Sequence, residues 1–134
     1  MHEKIIGGTL PSPLALAYLG DARHSLYVRR MLVERGMSKP ADLNRESLSY
    51  VTAKSQSQMF EKIEPLLFDD EREIFRRASN STHLNKPKNA SGKDYRTATG
   101  FEALIGMLEW IGDEERLEEL LTIAHGGQKN DQEN

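Results

Sequence analysis

Apolar residues recur three and four positions apart through most of the chain, a spacing that places side chains on one face of a helix. The first run extends from Pro13 to Glu34, with Ser12 as a helix start and Gly36 as a stop. The same spacing predicts a helical turn over Pro40–Leu43, a helix over Glu46–Leu67 that is continuous or bent, and a short helix from Asp69 to about Ala78.

The C-terminal half begins with a polar segment, Ser79–Lys93, whose length and composition suggest a functional loop. Two further helices are predicted, from Tyr95 to about Trp110 with Asp94 as the cap, and from Glu114 to about Ala124 with Asp113 as the cap. No segment alternates like a strand, so the predicted fold class is all-α. With 134 residues the chain has room for one core, and the expected division is an extension over 1–11, one domain over 12–125 and a polar tail over 126–134.

Composition excludes several classes of protein. The chain has no cysteine, which rules out disulfides and thiolate metal sites and leads us to expect a cytoplasmic location. No apolar run approaches the roughly 18 residues that span a membrane. The net charge of -3 is unevenly distributed, because the segment Arg76–Arg96 holds six basic residues and only one acidic residue, Asp94. That segment is either a binding surface for phosphates or a solvated loop.

Two acidic residues, Asp21 and Glu102, each interrupt an apolar helical run. A carboxylate in such a setting needs a partner, because burying an unpaired charge is costly. Glycine and alanine flank both residues and would let the two helices pack closely, so that the carboxylates converge on a cation. An all-oxygen site suits Mg²⁺ or Mn²⁺, and a metal beside bound phosphates is suited to phosphodiester hydrolysis. The alternative is a pair of structural acids, each hydrogen-bonded to a hydroxyl or an arginine.

Other catalytic arrangements find little support. His2 and His125 lie in terminal segments, and His24 and His83 have no paired nucleophile at a recognisable spacing. The chain also has neither a Walker loop nor a dinucleotide-binding glycine pattern. The paired carboxylates therefore remain the leading candidate site.

Three ordered segments resemble the ribonuclease III catalytic domain, and most closely its short Mini-III form, which has no double-stranded RNA-binding domain. They are Leu16-Ala-Tyr-Leu-Gly-Asp21-Ala22, Tyr50-Val-Thr-Ala-Lys-Ser-Gln56 and Tyr95-Arg-Thr-Ala-Thr-Gly-Phe-Glu102-Ala-Leu-Ile-Gly106. The resemblance implies a homodimeric, all-helical, Mg²⁺-dependent endonuclease, with Mn²⁺ as an alternative metal. It also implies cleavage of double-stranded RNA to 5′-phosphate ends, in the maturation of large-subunit ribosomal RNA in the bacterial cytoplasm or the plastid stroma.

Family roles transfer to individual residues of this chain. Asp21 and Glu102 match the catalytic and metal-binding carboxylates of the family. Residues expected to contact RNA are Lys54, Arg77, Asn80, Lys86, Lys88 and Arg96. Three acids of the full-length enzymes are replaced here by Leu14, Ala17 and Thr99, as in the Mini-III form.

The chain departs from the family pattern in two places. Arg23-His24-Ser25 replaces an apolar or aromatic pair followed by an acid, and Ala78-Ser79 replaces a Gly-Arg pair. These departures leave an alternative open, a catalytically silent helical protein that binds structured RNA or assists ribosome assembly. A third hypothesis is an obligate helical dimer whose acids are purely structural.

Overall fold

The computed structural model describes residues 9–82 and 91–127. Over these residues the chain is helical and has no strand, so the predicted all-α class is confirmed. The helices are α1 (Pro13–Glu34), α2 (Pro40–Tyr50), α3 (Ala53–Ile63), α4 (Asp69–Asn80), α5 (Gly92–Ile111) and α6 (Glu114–Ala124). A 3₁₀ turn, Glu64–Leu66, follows α3.

The predicted bounds of α1 are confirmed, and its first turn is capped by Ser12, whose Oγ accepts a hydrogen bond from the Ala15 amide at 3.2 Å. The predicted cap of α6 is also confirmed, because an Asp113 carboxylate oxygen accepts from the Arg116 amide at 3.2 Å. The predicted cap of α5 is wrong. Ser91 caps this helix by accepting from the Asp94 amide at 3.0 Å, so α5 begins at Gly92 and Asp94 lies in its first turn.

The middle of the chain also differs from the prediction. The expected turn over Pro40–Leu43 is the start of the longer helix α2, and the expected helix over Glu46–Leu67 is divided by a break after Tyr50. The break occurs because Thr52 adopts an extended conformation, with ψ 156°, and its hydroxyl caps α3 by accepting from the Ser55 amide at 3.1 Å. Helix α4 continues two residues beyond the predicted end, to Asn80.

Helix α5 is the centre of the domain and packs against α1, α3, α4 and α6. Between Ala98 and Leu108 every residue is buried except Glu102, which is half-buried. A helix that is apolar on all sides is expected to lie inside a core. Glu102 is therefore a polar interruption in the most buried segment of the protein. Within the described residues, no helix has both the length and the apolar character needed to cross a membrane.

Helices α1 and α5 cross with their backbones in contact. A β-carbon added to Gly20 would lie 1.7 Å from the Glu102 carbonyl oxygen, and one added to Gly106 would lie 1.8 Å from the Leu16 carbonyl oxygen. No real β-carbon tolerates such a distance, so both positions require glycine. The close packing expected from the small residues is present at these two glycines, whereas Gly100 packs against Phe75 of α4.

This crossing gives a first testable prediction. Gly20→Ala should lower the free energy of unfolding by about 3 kcal/mol or more, because α1 and α5 must separate to admit the methyl group. Urea denaturation measures the loss. The control is Gly36→Ala, at a position with φ +93° and no neighbouring atom within 4 Å, which should cost only about 1 kcal/mol of backbone strain. Equal losses in the two variants would contradict the proposed backbone constraint.

Candidate active site

The helix crossing brings Asp21 and Glu102 together. Asp21 follows Gly20 on α1, and Gly20 touches the backbone of Glu102 on α5. The two carboxyl groups interact by a side-chain hydrogen bond. Asp21 is exposed and Glu102 is half-buried, so the pair lies where the apolar interior reaches the surface. Asp21 is thus not a buried acid, although its helix is largely apolar.

The electrostatics of the pair are unusual. Burial, followed by the hydrogen bond and the negative charge of Asp21, raises the pKa of Glu102 to about 8, while a hydrogen bond from Gln56 opposes the shift. Without a cation, Glu102 therefore keeps a proton at neutral pH. A cation between the two carboxyls would favour loss of that proton and would remove their repulsion.

The donor set fits a hard cation but is small. Carboxylate oxygens are the ligands that Mg²⁺ and Mn²⁺ prefer, and Mg²⁺ commonly uses only one or two protein carboxylates. In residues 9–82 and 91–127, no group of three or more histidine, aspartate or glutamate side chains is arranged to hold a metal. Any ion held by Asp21 and Glu102 would therefore need further ligands, such as water molecules, to complete its coordination.

A hydrogen-bonded network of buried polar side chains lies behind Glu102. Gln56 on α3 has its Nε2 3.4 Å from Glu102 Oε2 and 3.1 Å from His24 Nδ1. His24 Nε2 in turn lies 2.8 Å from Nε2 of His125, the residue that follows α6. None of these three residues was predicted from the sequence as part of the site. Two sequence signals pointed near them: Gln56 ends the Tyr50–Gln56 segment, and His24 lies in the departure from the family pattern after Asp21.

Both histidines are neutral in the folded protein. Burial, followed by repulsion from His125, lowers the pKa of His24 to about 3. Burial, followed by the positive charges of Lys62 and Arg35, lowers the pKa of His125 to about 4. Although the sequence places His125 in a terminal segment, its ring packs into the fold, against Tyr27 and Tyr50 at centroid distances of 4.9 and 5.6 Å.

The two departures from the family pattern have structural roles. Arg23 forms salt bridges with Glu109 at 3.0 Å, Glu114 at 2.7 Å and Glu118 at 3.2 Å, which tie α1 to α5 and α6. His24 belongs to the hydrogen-bonded network described above. At the second departure, Ala78 is buried and the Ser79 hydroxyl donates to the Arg96 carbonyl oxygen at 3.1 Å, joining the end of α4 to the start of α5.

The predicted RNA-contacting residues fall into two groups. Arg77 and Asn80 are exposed at the end of α4, and Arg96 is exposed near the start of α5, where the Ser79 contact holds the two helices together. Lys54 is exposed in the first turn of α3, two residues before Gln56. Lys86 and Lys88 lie outside the described residues.

Comparison with known proteins identifies the class. A sequence model of the ribonuclease III domain matches residues 14–113, and the chain belongs to this family. Within the family it is similar to proteins named Mini-ribonuclease 3. The one from Symbiobacterium thermophilum is 44% identical over 116 residues, covering 87% of this chain and 88% of that protein. The one from Streptococcus pneumoniae is 41% identical over 120 residues, covering 88% and 94%.

A solved structure agrees with this assignment. The crystal structure of a protein from Fusobacterium nucleatum superposes with a TM-score of 0.77 and 32% sequence identity, covering 85% of this chain and 91% of that one. The chain is therefore an endoribonuclease of the ribonuclease III type. The sequence-based resemblance to the Mini-III form is confirmed.

The raised pKa of Glu102 yields a prediction for the metal-free protein. Its folded value of about 8 lies above the ordinary value of 4.5, so this group stabilises the fold fully below pH 4.5 and loses that contribution as the pH rises to about 8. Glu102→Gln cannot titrate. Its melting temperature should therefore gain on that of the wild type between pH 4.5 and 8, and the gain should level off above pH 8.

Thermal unfolding in EDTA across this pH range measures the difference between variant and wild type. The matched control is Glu61→Gln, which replaces an exposed glutamate on α3 and leaves the carboxyl pair intact. A difference for Glu102→Gln that does not change with pH would show that Glu102 is not held in its protonated form.

Proposed function

We propose that this protein hydrolyses double-stranded RNA with the help of Mg²⁺ held by Asp21 and Glu102. The observation that carries the proposal is the pairing of these two carboxyls at the α1–α5 crossing, where burial and then the neighbouring Asp21 raise the pKa of Glu102. A structural pair would gain more from an arginine or a hydroxyl than from a second acid. The family generally uses divalent metal ions, which supports a cation as the missing partner.

The residues of the site have separable tasks. Asp21, exposed on α1, would reach an ion that arrives with the RNA, while Glu102, half-buried on α5, would hold it at the edge of the core. When bound, the ion would supply Lewis-acid activation of a water molecule and neutralise charge on the scissile phosphate. Gln56 donates to one oxygen of Glu102 and leaves the other for the ion. Mn²⁺ is the expected substitute for Mg²⁺.

The exposed basic residues support RNA as the substrate. Recognition of A-form RNA depends mainly on contacts to phosphates and 2′-hydroxyls, which side chains such as Lys54, Arg77 and Arg96 provide. Asn80, Lys86 and Lys88 are proposed to add to this surface. The finer points, namely ribosomal RNA precursor as the substrate, 5′-phosphate products and a cytoplasmic location, are proposed from the resemblance to the Mini-III form.

A single substitution tests the metal-dependent cleavage. Asp21→Asn removes one charged ligand while keeping side-chain size, and loss of a group that only supports a ligand already costs about 10- to 100-fold. Cleavage of duplex RNA in Mg²⁺ should therefore fall by more than about 100-fold. The control is Asp42→Asn on α2, which breaks only an exposed salt bridge to Arg45 and should cleave normally. Normal cleavage by Asp21→Asn would refute the assignment.

The same assay addresses a second candidate function. The second candidate is a catalytically silent protein that binds structured RNA, and its motivation is the small donor set, since no group of three or more metal-binding side chains lies among the described residues. Duplex binding without cleavage, in both Mg²⁺ and Mn²⁺, would establish that alternative.

We also propose a homodimer in which the outer face of α1 is covered by a second copy of the chain. Tyr18 is 84% exposed and Leu26 is 58% exposed on this helix. They lie on either side of Asp21 in the sequence, and Leu26 lines a cleft of about 1060 Å³ between α1, α5 and α6. Exposed apolar side chains beside a cleft of this size are typical of an interaction surface.

The dimer can be tested with a paired substitution. Leu26→Glu places a charge on the proposed interface and should shift sedimentation velocity from the dimer to the monomer. Leu48→Glu on α2, where the leucine is 64% exposed, changes an apolar residue outside this face and should leave the dimer intact. A monomeric wild type, or equal behaviour of both variants, would contradict the proposed interface.

A further inference from the structure

The hydrogen-bonded network behind Glu102, formed by Gln56, His24 and His125, connects three helices to one carboxylate. Gln56, on α3, is 2% exposed, and His24, on α1, is fully buried. Both contacts of Gln56 use its Nε2, which approaches Glu102 Oε2 on one side and His24 Nδ1 on the other. A primary amide nitrogen has two hydrogens and no acceptor capacity. Gln56 therefore donates one hydrogen to Glu102 and one to His24.

This assignment fixes the tautomers of both histidines. Because His24 Nδ1 accepts from Gln56, a neutral His24 carries its proton on Nε2 and donates it to His125. His125 Nε2 must then be an acceptor, so the proton of His125 lies on Nδ1. That atom is buried and has no hydrogen-bond partner within the described residues. Gln56 is thus the donor to both of its neighbours, and the two bonds from Gln56 to His24 and from His24 to His125 point away from Glu102.

Packing against aromatic rings holds the network in place. The His24 ring meets Phe101, the residue before Glu102, edge to face at a centroid distance of 5.3 Å. His125 packs between the rings of Tyr27 and Tyr50. The tautomer that places the His125 proton on Nδ1 is the one that leaves His24 Nδ1 free to accept from Gln56.

We propose that Gln56 is a positioning residue for Glu102, and that His24, backed by His125, fixes the Gln56 amide so that it donates to the rear oxygen of that carboxylate. The other oxygen of the Glu102 carboxylate, Oε1, then faces Asp21. The inference rests on the proposed metal-binding role of Glu102. Groups that hydrogen-bond to metal ligands orient them, and their loss commonly weakens metal affinity by about 10- to 100-fold.

Mn²⁺ binding tests the proposal without depending on cleavage. Gln56→Met keeps the length of the side chain but removes both donors. Titration with Mn²⁺, followed by the electron paramagnetic resonance signal of the free ion, should show an affinity at least about 10-fold weaker than that of the wild type. Duplex binding in EDTA should change little, whereas the melting temperature should fall because the buried Nδ1 of His24 loses its donor. The control is Ser57→Ala, at the next buried position of α3, which should bind Mn²⁺ as the wild type does.

A second variant covers the case in which Gln56→Met does not fold. His24→Phe keeps an aromatic ring against Phe101 but offers no acceptor to Gln56. It should weaken Mn²⁺ binding in the same direction. Unchanged Mn²⁺ affinity in Gln56→Met, or in His24→Phe if only that variant folds, would overturn the proposal.

The hydrogen-bond directions are testable in the wild type alone. Long-range ¹H–¹⁵N correlation of the imidazole rings at pH 7 should show His24 protonated only on Nε2 and His125 only on Nδ1. A proton on His24 Nδ1 would mean that the Gln56 amide is turned the other way, and would overturn the proposal. A wild type that neither binds Mn²⁺ nor cuts RNA, but shows these tautomers, would refute the proposed function and leave the hydrogen-bonded network intact.

Discussion

The backbone contact between α1 and α5 is the constraint on which the rest of the structure depends. Gly20 and Gly106 each lie against a carbonyl oxygen of the opposite helix, so neither helix can rotate or slide without a steric clash. Asp21 is adjacent to one glycine in the sequence, and Glu102 supplies the carbonyl that this glycine touches. The position of both carboxyls is therefore set by backbone geometry, which is stiffer than any arrangement held by side chains alone.

The same contact makes the metal-free site electrostatically unfavourable. Helix α5 is buried on all sides from Ala98 to Leu108, except at the half-buried Glu102. Burial and the nearby Asp21 both favour the protonated form, and Gln56 only partly opposes them. The surrounding core, from α1, α3, α4 and α6, supplies the stability that tolerates this arrangement. Perturbed carboxyl pKa values of this kind are common at functional sites.

Much of the fold could be predicted from the sequence because its signals are local. The Ser-Pro start of α1 and the Asp113 cap of α6 act within one helical turn. The break at Thr52 and the cap at Ser91 are equally local. The apolar spacing over Glu46–Leu67 hid the break, and Asp94, a second residue suited to capping, hid the cap. The contacts of His24 with Gln56 and His125 could not be predicted. Gln56 is 32 positions away from His24 in the sequence and His125 is 101 positions away, and both contacts depend on how α1, α3 and α6 pack. The pairing of Asp21 with Glu102 could be predicted, because the glycines beside both residues indicated that the two helices pack closely.

The departures after Asp21 can now be interpreted physically. Arg23, His24 and Ser25 replace an apolar or aromatic pair and an acid, a change that could have indicated a damaged site. Instead, Arg23 binds three glutamates on α5 and α6, and His24 enters the interior and joins Gln56. The polar side chain of His24 requires a polar partner at the end of α6, and His125 is that partner. The hydrogen bonds of His24 to Gln56 and His125 therefore extend the surroundings of Glu102 to the end of helix α6.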